Sequence, residues 1–134
     1  MKRIKRTAKD NVSMRVLLDT NFLIDAVRFK IDLEELTDLI GKPETATLSS
    51  VKKELTRISQ GKTKVGGYAK AALEFIEKNN VRIVPSNERP DTAMPKLAGE
   101  NTIIATNDTE LRKRLKALGK KTIYLKGKKH LAIG

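Results

Sequence analysis

The chain has no cysteine, no tryptophan and a single histidine, His130. Disulfides, thiolate zinc sites and cysteine nucleophiles are thereby excluded. One histidine leaves a histidine metal site or a serine–histidine triad without its parts, so any hydrolytic chemistry must run on oxygen ligands. Aromatic residues are scarce, three Phe and two Tyr, which leaves little for base-stacking platforms. No apolar run approaches the roughly 20 residues needed to cross a bilayer. Residues 1–13 are basic but lack the apolar stretch of a signal peptide, so a membrane is not an expected partner and the cytoplasm is the expected compartment.

What is present is charge of one sign. Lys and Arg number 28 against 16 Asp and Glu, a formal net charge of +12 in 134 residues. The length suits one layered core, and with 39% apolar residues such a core can form. The excess of cations points to a polyanionic partner; RNA, DNA or an acidic membrane each fits the charge alone. With so few aromatics, contact through Lys and Arg to a phosphate backbone is the expected mode, weakening steeply with salt.

Residues 1–13 carry Lys2, Arg3, Lys5 and Arg6 with no apolar period and read as a basic flexible arm. Residues 14–134 read as a single domain. Short apolar runs at 15–19, 46–48, 81–84, 102–105 and 122–125 predict about five buried strands. Between them the period turns helical: Leu33, Leu36 and Ile40; Val51, Leu55 and Ile58; Tyr68, Ala72, Phe75 and Ile76; Leu111, Leu115 and Leu118. Breaks are expected at Gly41–Pro43, Gly61–Gly67, Pro85–Pro90 and Gly119. This alternation predicts an α/β fold, a three-layer α/β/α sandwich around a central parallel sheet. In such sheets the ligand crevice lies beyond the carboxyl ends of the strands, where the strand order switches.

Two of those strand ends carry acids, Asp19 and Asp108, each just ahead of a helix. Either alone reads first as a helix cap, and Asn107 with Glu110 fits a capping box. Glu54 falls at the flank of the apolar face of its helix rather than opposite it. Asp91 shares a face with Met94 and Ala98 if 91–98 is helical. Carboxylates gathered in one crevice repel one another, and a hard divalent cation with a preference for oxygen removes the conflict. An all-carboxylate site in a basic surround is therefore a coherent arrangement for phosphodiester hydrolysis.

These residues resemble the PIN-domain ribonuclease family. Leu18-Asp19-Thr20-Asn21-Phe22-Leu23-Ile24 is similar to its opening strand and helix, and Ser49-Ser50-Val51-Lys52-Lys53-Glu54-Leu55 to its second acidic motif. Asp91-Thr92-Ala93-Met94 stands at the third, and Ala105-Thr106-Asn107-Asp108 at the fourth. The closing segment, Ile123 to Leu131, resembles the archaeal branch related to the PIN proteins of small-subunit ribosomal RNA processing; the toxin branch of toxin–antitoxin systems is next nearest. The resemblance implies a sheet of order 3-2-1-4-5, with Asp19, Glu54, Asp91 and Asp108 as catalytic residues binding Mg²⁺ or Mn²⁺. It implies supporting roles for Asn21, Thr106 and Asn107, and endonucleolytic attack by activated water on single-stranded RNA. Ribosomal RNA or its precursor is the expected substrate, and a homodimer a possible assembly.

Thr92 departs from that pattern, standing where a second acid usually follows the third motif's aspartate. Pro95 predicts that its helix starts late or kinks. Both allow a second class of function, a non-catalytic RNA- or ribosome-binding module. A phosphoaspartate receiver or an aspartate-nucleophile phosphatase is disfavoured, because the place two residues after Asp19 holds Asn21. RNA contacts are expected at the arm and at Arg112, Lys126, Lys128 and Lys129, with His130 a surface neighbour. Asp25, Asp32 and Asp38 read as solvated helix charges, and Tyr68 and Phe75 as core.

Overall fold

The apolar run Arg15–Leu18 forms strand β1, and a computed structural model describing residues 14–134 places it inside a six-stranded sheet. The arm expected at residues 1–13, with Lys2, Arg3, Lys5 and Arg6, lies outside the described residues. After β1 come α1 (Thr20–Arg28), α2 (Glu34–Ile40), β2 (Glu44–Leu48), α3 (Ser49–Ser59), α4 (Lys64–Lys78) and β3 (Arg82–Val84). The chain continues through α5 (Pro90–Leu97), β4 (Thr102–Ala105), α6 (Thr109–Ala117), β5 (Thr122–Lys126) and β6 (His130–Ile133).

The strand order is β3-β2-β1-β4-β5-β6, and the first five are parallel, in the order implied by the resemblance. β1 pairs with β2 on one side and β4 on the other, so Leu18 lies opposite both Thr47 and Ala105. Val16, Leu17 and Leu18 are buried, as are Ile103, Ile104 and Ala105. A parallel sheet covered on both faces requires this near-continuous apolar composition rather than alternation. Helices α1, α3 and α4 pack on one another, α5 packs on α6, and the sheet lies among them. Each fully buried Leu or Ile in this core contributes about 1.5–3 kcal/mol.

Three expectations need correction. In the closing segment β6 pairs antiparallel with β5, adding a sixth strand to the roughly five expected. Gly127 and Lys128 take positive φ (62° and 59°), the backbone of a tight hairpin turn. Leu131 is buried, and its N–H donates to Glu35 of α2 at 3.1 Å. Second, Gly66 and Gly67 do not belong to a break but lie inside α4. A Cβ on Gly66 would stand 2.3 Å from the carbonyl oxygen of Gly61, so a glycine is required by close approach of backbone. Third, α5 begins at Pro90, ahead of Asp91, and runs through Pro95. Pro90 suits the first helical position. Pro95 offers no N–H to the preceding turn, but its ring is buried, and its carbonyl accepts Lys120 Nζ at 3.1 Å.

Candidate active site

β1 and β4 are neighbours, and both deliver an acid at their carboxyl ends. The Asp19 N–H continues the sheet by donating to the Ala105 carbonyl at 2.9 Å. Its side chain is buried: Oδ1 accepts the Thr20 N–H at 2.8 Å, and Oδ2 accepts the Thr106 hydroxyl at 2.7 Å. Asp19 is thus the N-cap of α1. Asp108 caps α6, its Oδ1 accepting the N–H groups of Glu110 at 2.9 Å and Leu111 at 3.2 Å. The capping residue of α6 is therefore Asp108 and not Asn107, because the Asn107 side chain is engaged elsewhere. Its amide donates to Asp25 Oδ2 at 2.9 Å and its oxygen accepts the Leu125 N–H at 2.8 Å. Asn21 Oδ1 accepts the Asn107 N–H at 2.9 Å and lies 3.4 Å from the Thr106 hydroxyl.

Glu54 reaches the same place from α3. Val51 and Leu55 are buried, and Glu54, at the edge of that apolar face, is half-buried and accepts the Thr20 hydroxyl on Oε1. Asp91 comes from the first turn of α5, whose inner face is anchored by Ala93, Met94 and Pro95. Asp19, Glu54, Asp91 and Asp108 all line one cavity of about 300 Å³, together with Thr20, Asn21, Arg89 and the apolar Ile24 and Ile58. Pro95 thus does not turn Asp91 away from the other acids.

The electrostatics of this cavity are frustrated. Burial holds the Asp19 carboxyl above its ordinary value; the bonds from Thr106 and Thr20 pull it back, and the charges of Glu54 and Asp108 push it up. Asp91 Oδ1 is buried without a hydrogen-bond partner among the described residues, although Arg89 Nε stands 3.7 Å away. Arg57 approaches Glu54 Oε2 at 3.9 Å. Among the described residues no three acids are drawn in to the separation of ligands on one ion. The donor set is nonetheless all oxygen, one donor is orphaned, and the field is negative. These properties fit a hard divalent cation of the Mg²⁺ or Mn²⁺ kind.

Of the expected RNA contacts, Arg112, Lys126, Lys128 and Lys129 fall among the described residues. Arg112 is stacked over Tyr124, its guanidinium carbon 3.6 Å from the ring centroid. Lys126, Lys128 and Lys129 are exposed on the β5–β6 hairpin, Lys128 over the Phe29 ring. None of the four lines the cavity. His130, also exposed, lies 3.8 Å from Glu35. Asp25 is not a freely solvated charge, being tied to Asn107, and Asp32 accepts the Glu34 N–H at the start of α2. Phe75 packs on the core half-buried, whereas Tyr68 lies beneath Arg28. Sequence reading missed Thr20 and Arg89. Thr20 meets Glu54 across 34 positions, beyond any local pattern; Arg89, two places before Asp91, was open to notice as a cation beside an acid.

Comparison with known proteins agrees with this fold. A family model described as a PIN like domain matches residues 16–128. Ribonuclease VapC4 of Methanocaldococcus jannaschii is 32% identical over 125 residues, covering 89% of this chain and 95% of that protein. The structure of the PIN domain endonuclease Utp24 superposes with a TM-score of 0.71 at 23% identity, over 89% of this chain and 90% of its own. A domain of a functionally unknown protein from Methanocaldococcus jannaschii does so with a TM-score of 0.60 at 23% identity, over 86% and 93%. The family match runs from Val16 in β1 past the end of β5 and includes every acid of the cavity, and the chain belongs to the PIN-like domain family.

Proposed function

We propose that this protein is a metal-dependent endoribonuclease that hydrolyses single-stranded RNA. The observation that carries the reading is the meeting of Asp19, Glu54, Asp91 and Asp108 on one cavity at the carboxyl end of the parallel sheet. Family membership and the relative named a ribonuclease support it. Asp19, Glu54, Asp91 and Asp108 would hold Mg²⁺ or Mn²⁺, which when bound supplies a nucleophilic water and charge stabilisation on the phosphate. The chain's own contribution is placement. Thr106 and the Thr20 N–H fix the Asp19 carboxylate, the Thr20 hydroxyl fixes Glu54, and the α6 amides fix Asp108. Arg89 is the cation on the cavity wall that faces an incoming phosphate.

The test uses a labelled single-stranded RNA with Mn²⁺, with and without chelator, beside Asp108→Asn. Wild type should cleave internally, and chelator and substitution should each reduce the rate at least about 100-fold, beyond the 10–100-fold typical of outer-shell changes. Cleavage indifferent to both would overturn the reading. Ribosomal RNA maturation is the role we favour, on the resemblance of the closing segment to that branch. A toxin role is the second reading, favoured by the 32% identity to Ribonuclease VapC4. Growth arrest on expression, lost with Asp108→Asn, would select the toxin; accumulation of precursor ribosomal RNA on deletion would select maturation.

A further inference from the structure

A groove of about 690 Å³ opens from the carboxylate cavity, sharing Glu54, Arg89 and Pro90 with it. One wall is the outer face of α3, where Lys53 and Arg57 are exposed; the other is the segment 86–90 ahead of α5, ending in exposed Arg89. Among the described residues its only acids are Glu54 at the inner end and Glu88, which Lys96 Nζ neutralises at 2.6 Å. The two walls are pinned together: Ser49 Oγ accepts the Ser86 N–H at 2.8 Å and donates to the Ser86 carbonyl at 3.1 Å. The Ser50 hydroxyl on the same wall is buried with no hydrogen-bond partner among the described residues. No aromatic side chain lines the groove.

The geometry points to this groove as the track for the RNA strand on one side of the scissile phosphate, with Lys53, Arg57 and Arg89 contacting its phosphates. The inference rests on the proposed nuclease function and moves the principal RNA contacts to α3, away from Arg112 and the hairpin lysines. A strand with one phosphate in the cavity must leave it, and the groove is the adjoining exit whose walls are cationic. Without aromatics, recognition is through charge, tolerant of sequence and steep in salt. The Ser49–Ser86 link means the track exists before the strand arrives, so little ordering entropy is lost on binding.

Binding is measured by fluorescence anisotropy of the full chain with a labelled single-stranded RNA dodecamer in EDTA, over a range of NaCl. Lys53→Gln/Arg57→Gln is compared with Lys42→Gln/Lys121→Gln, the same charge change just before β2 and β5, at the opposite pole of the sheet. Lys53→Gln alone leaves the Arg57–Glu54 pair in place. Loss of two phosphate contacts should lower the salt slope by about 1.4 and weaken binding roughly 10–30-fold near 0.1 M salt. Lys53→Gln should show about half the slope change, and the opposite-pole variant almost none. Equal effects from the two double variants would overturn the track, as would tighter binding of polyglutamate than of RNA. With Mn²⁺ added, a wild type that binds this way but never cleaves would overturn the nuclease reading alone. A wild type that cleaves, with kcat/KM unchanged in Lys53→Gln/Arg57→Gln, would overturn the track alone.

Discussion

The Thr106 hydroxyl donates to Asp19 Oδ2 at 2.7 Å and accepts the Asp108 N–H at 3.1 Å. One buried side chain at the end of β4 therefore sets the spacing between the two strand-end acids. Thr106→Val keeps the shape and removes both bonds, leaving a buried carboxylate oxygen and a backbone N–H unmatched. The expected cost is about 2–6 kcal/mol, the sum of two such penalties. Because the acids remain but lose their spacing, kcat should fall about 10–100-fold while KM for RNA changes little, as for other outer-shell residues. Thr106→Ser should recover most of both. Urea midpoints and steady-state kinetics on the three proteins check this, and a Val variant with wild-type kcat would refute it.

Asp19 itself should be a residue that activity needs and stability does not. Its carboxyl is held above the ordinary value, first by burial and then by Glu54 and Asp108 against the bonds from Thr106 and Thr20. A carboxyl whose pKa is higher folded than unfolded binds its proton more tightly in the native state. Stability is then greatest below the unfolded value, 3.8, and falls as pH rises through the raised folded value. Asp19→Asn removes that penalty. At neutral pH the variant should melt above wild type, and the gap should close as pH falls toward the unfolded value. Mn²⁺ should raise the melting temperature of wild type by more than that of the variant, since it offsets the same repulsion. Thermal melts across pH, with and without Mn²⁺, test this; a variant less stable than wild type at neutral pH would contradict it.

Sequence pattern showed the sheet because its signals are local. Arg15–Leu18 and Thr102–Ala105 are apolar on both faces, and the acids that follow them also satisfy a local rule, helix capping. Asp19 and Asp108 were legible for that reason, and so was Glu54, from its place at the edge of the Val51–Leu55 stripe. The groups that hold these acids were not legible. Thr20 to Glu54, Asn107 to Asp25 and Ser49 to Ser86 join positions 34, 82 and 37 residues apart, which only the sheet order brings together. The sixth strand was hidden by composition: in His130–Ile133 only Leu131 is buried, and the preceding Lys126, Lys128 and Lys129 carry no apolar pattern. The helix at Gly66 was hidden because glycine there serves packing, not chain reversal.

Asn107, between β4 and α6, ties that connection to both α1 and β5. It accepts from Leu125 of β5, donates to Asp25 of α1, and its N–H reaches Asn21. Asn107→Ala should lose the two side-chain bonds and expose the Leu125 N–H to desolvation without a partner, costing about 2–3 kcal/mol. Asn107→Asp keeps the acceptor for Leu125 but places a carboxylate against Asp25, so its deficit should shrink as pH falls and one of the pair takes up a proton. Chemical denaturation of both variants at neutral and acid pH separates the cases. An Asp variant with a pH-independent deficit would show that the Asp25 contact contributes nothing.

The start of α4 offers a paired test of packing against propensity. Gly66 and Gly67 occupy the same first turn, yet a Cβ on Gly66 would lie 2.3 Å from the Gly61 oxygen and 3.1 Å from its carbon, while one on Gly67 meets nothing within 4 Å. The neighbour of Gly66 is backbone, which cannot swing aside as a side-chain tip can. Gly66→Ala must therefore push the Gly61 turn away from α4, at an overpacking cost of about 1–3 kcal/mol. Gly67→Ala relieves only the entropy of a helical glycine and should stabilise by about 0.5–1 kcal/mol. α4 packs on α3, which carries Glu54, so the Gly66 variant should also lose activity while Gly67→Ala keeps it. Urea midpoints of opposite sign relative to wild type are the expected result. Equal shifts would mean that the Gly61–Gly66 contact is not what requires glycine there.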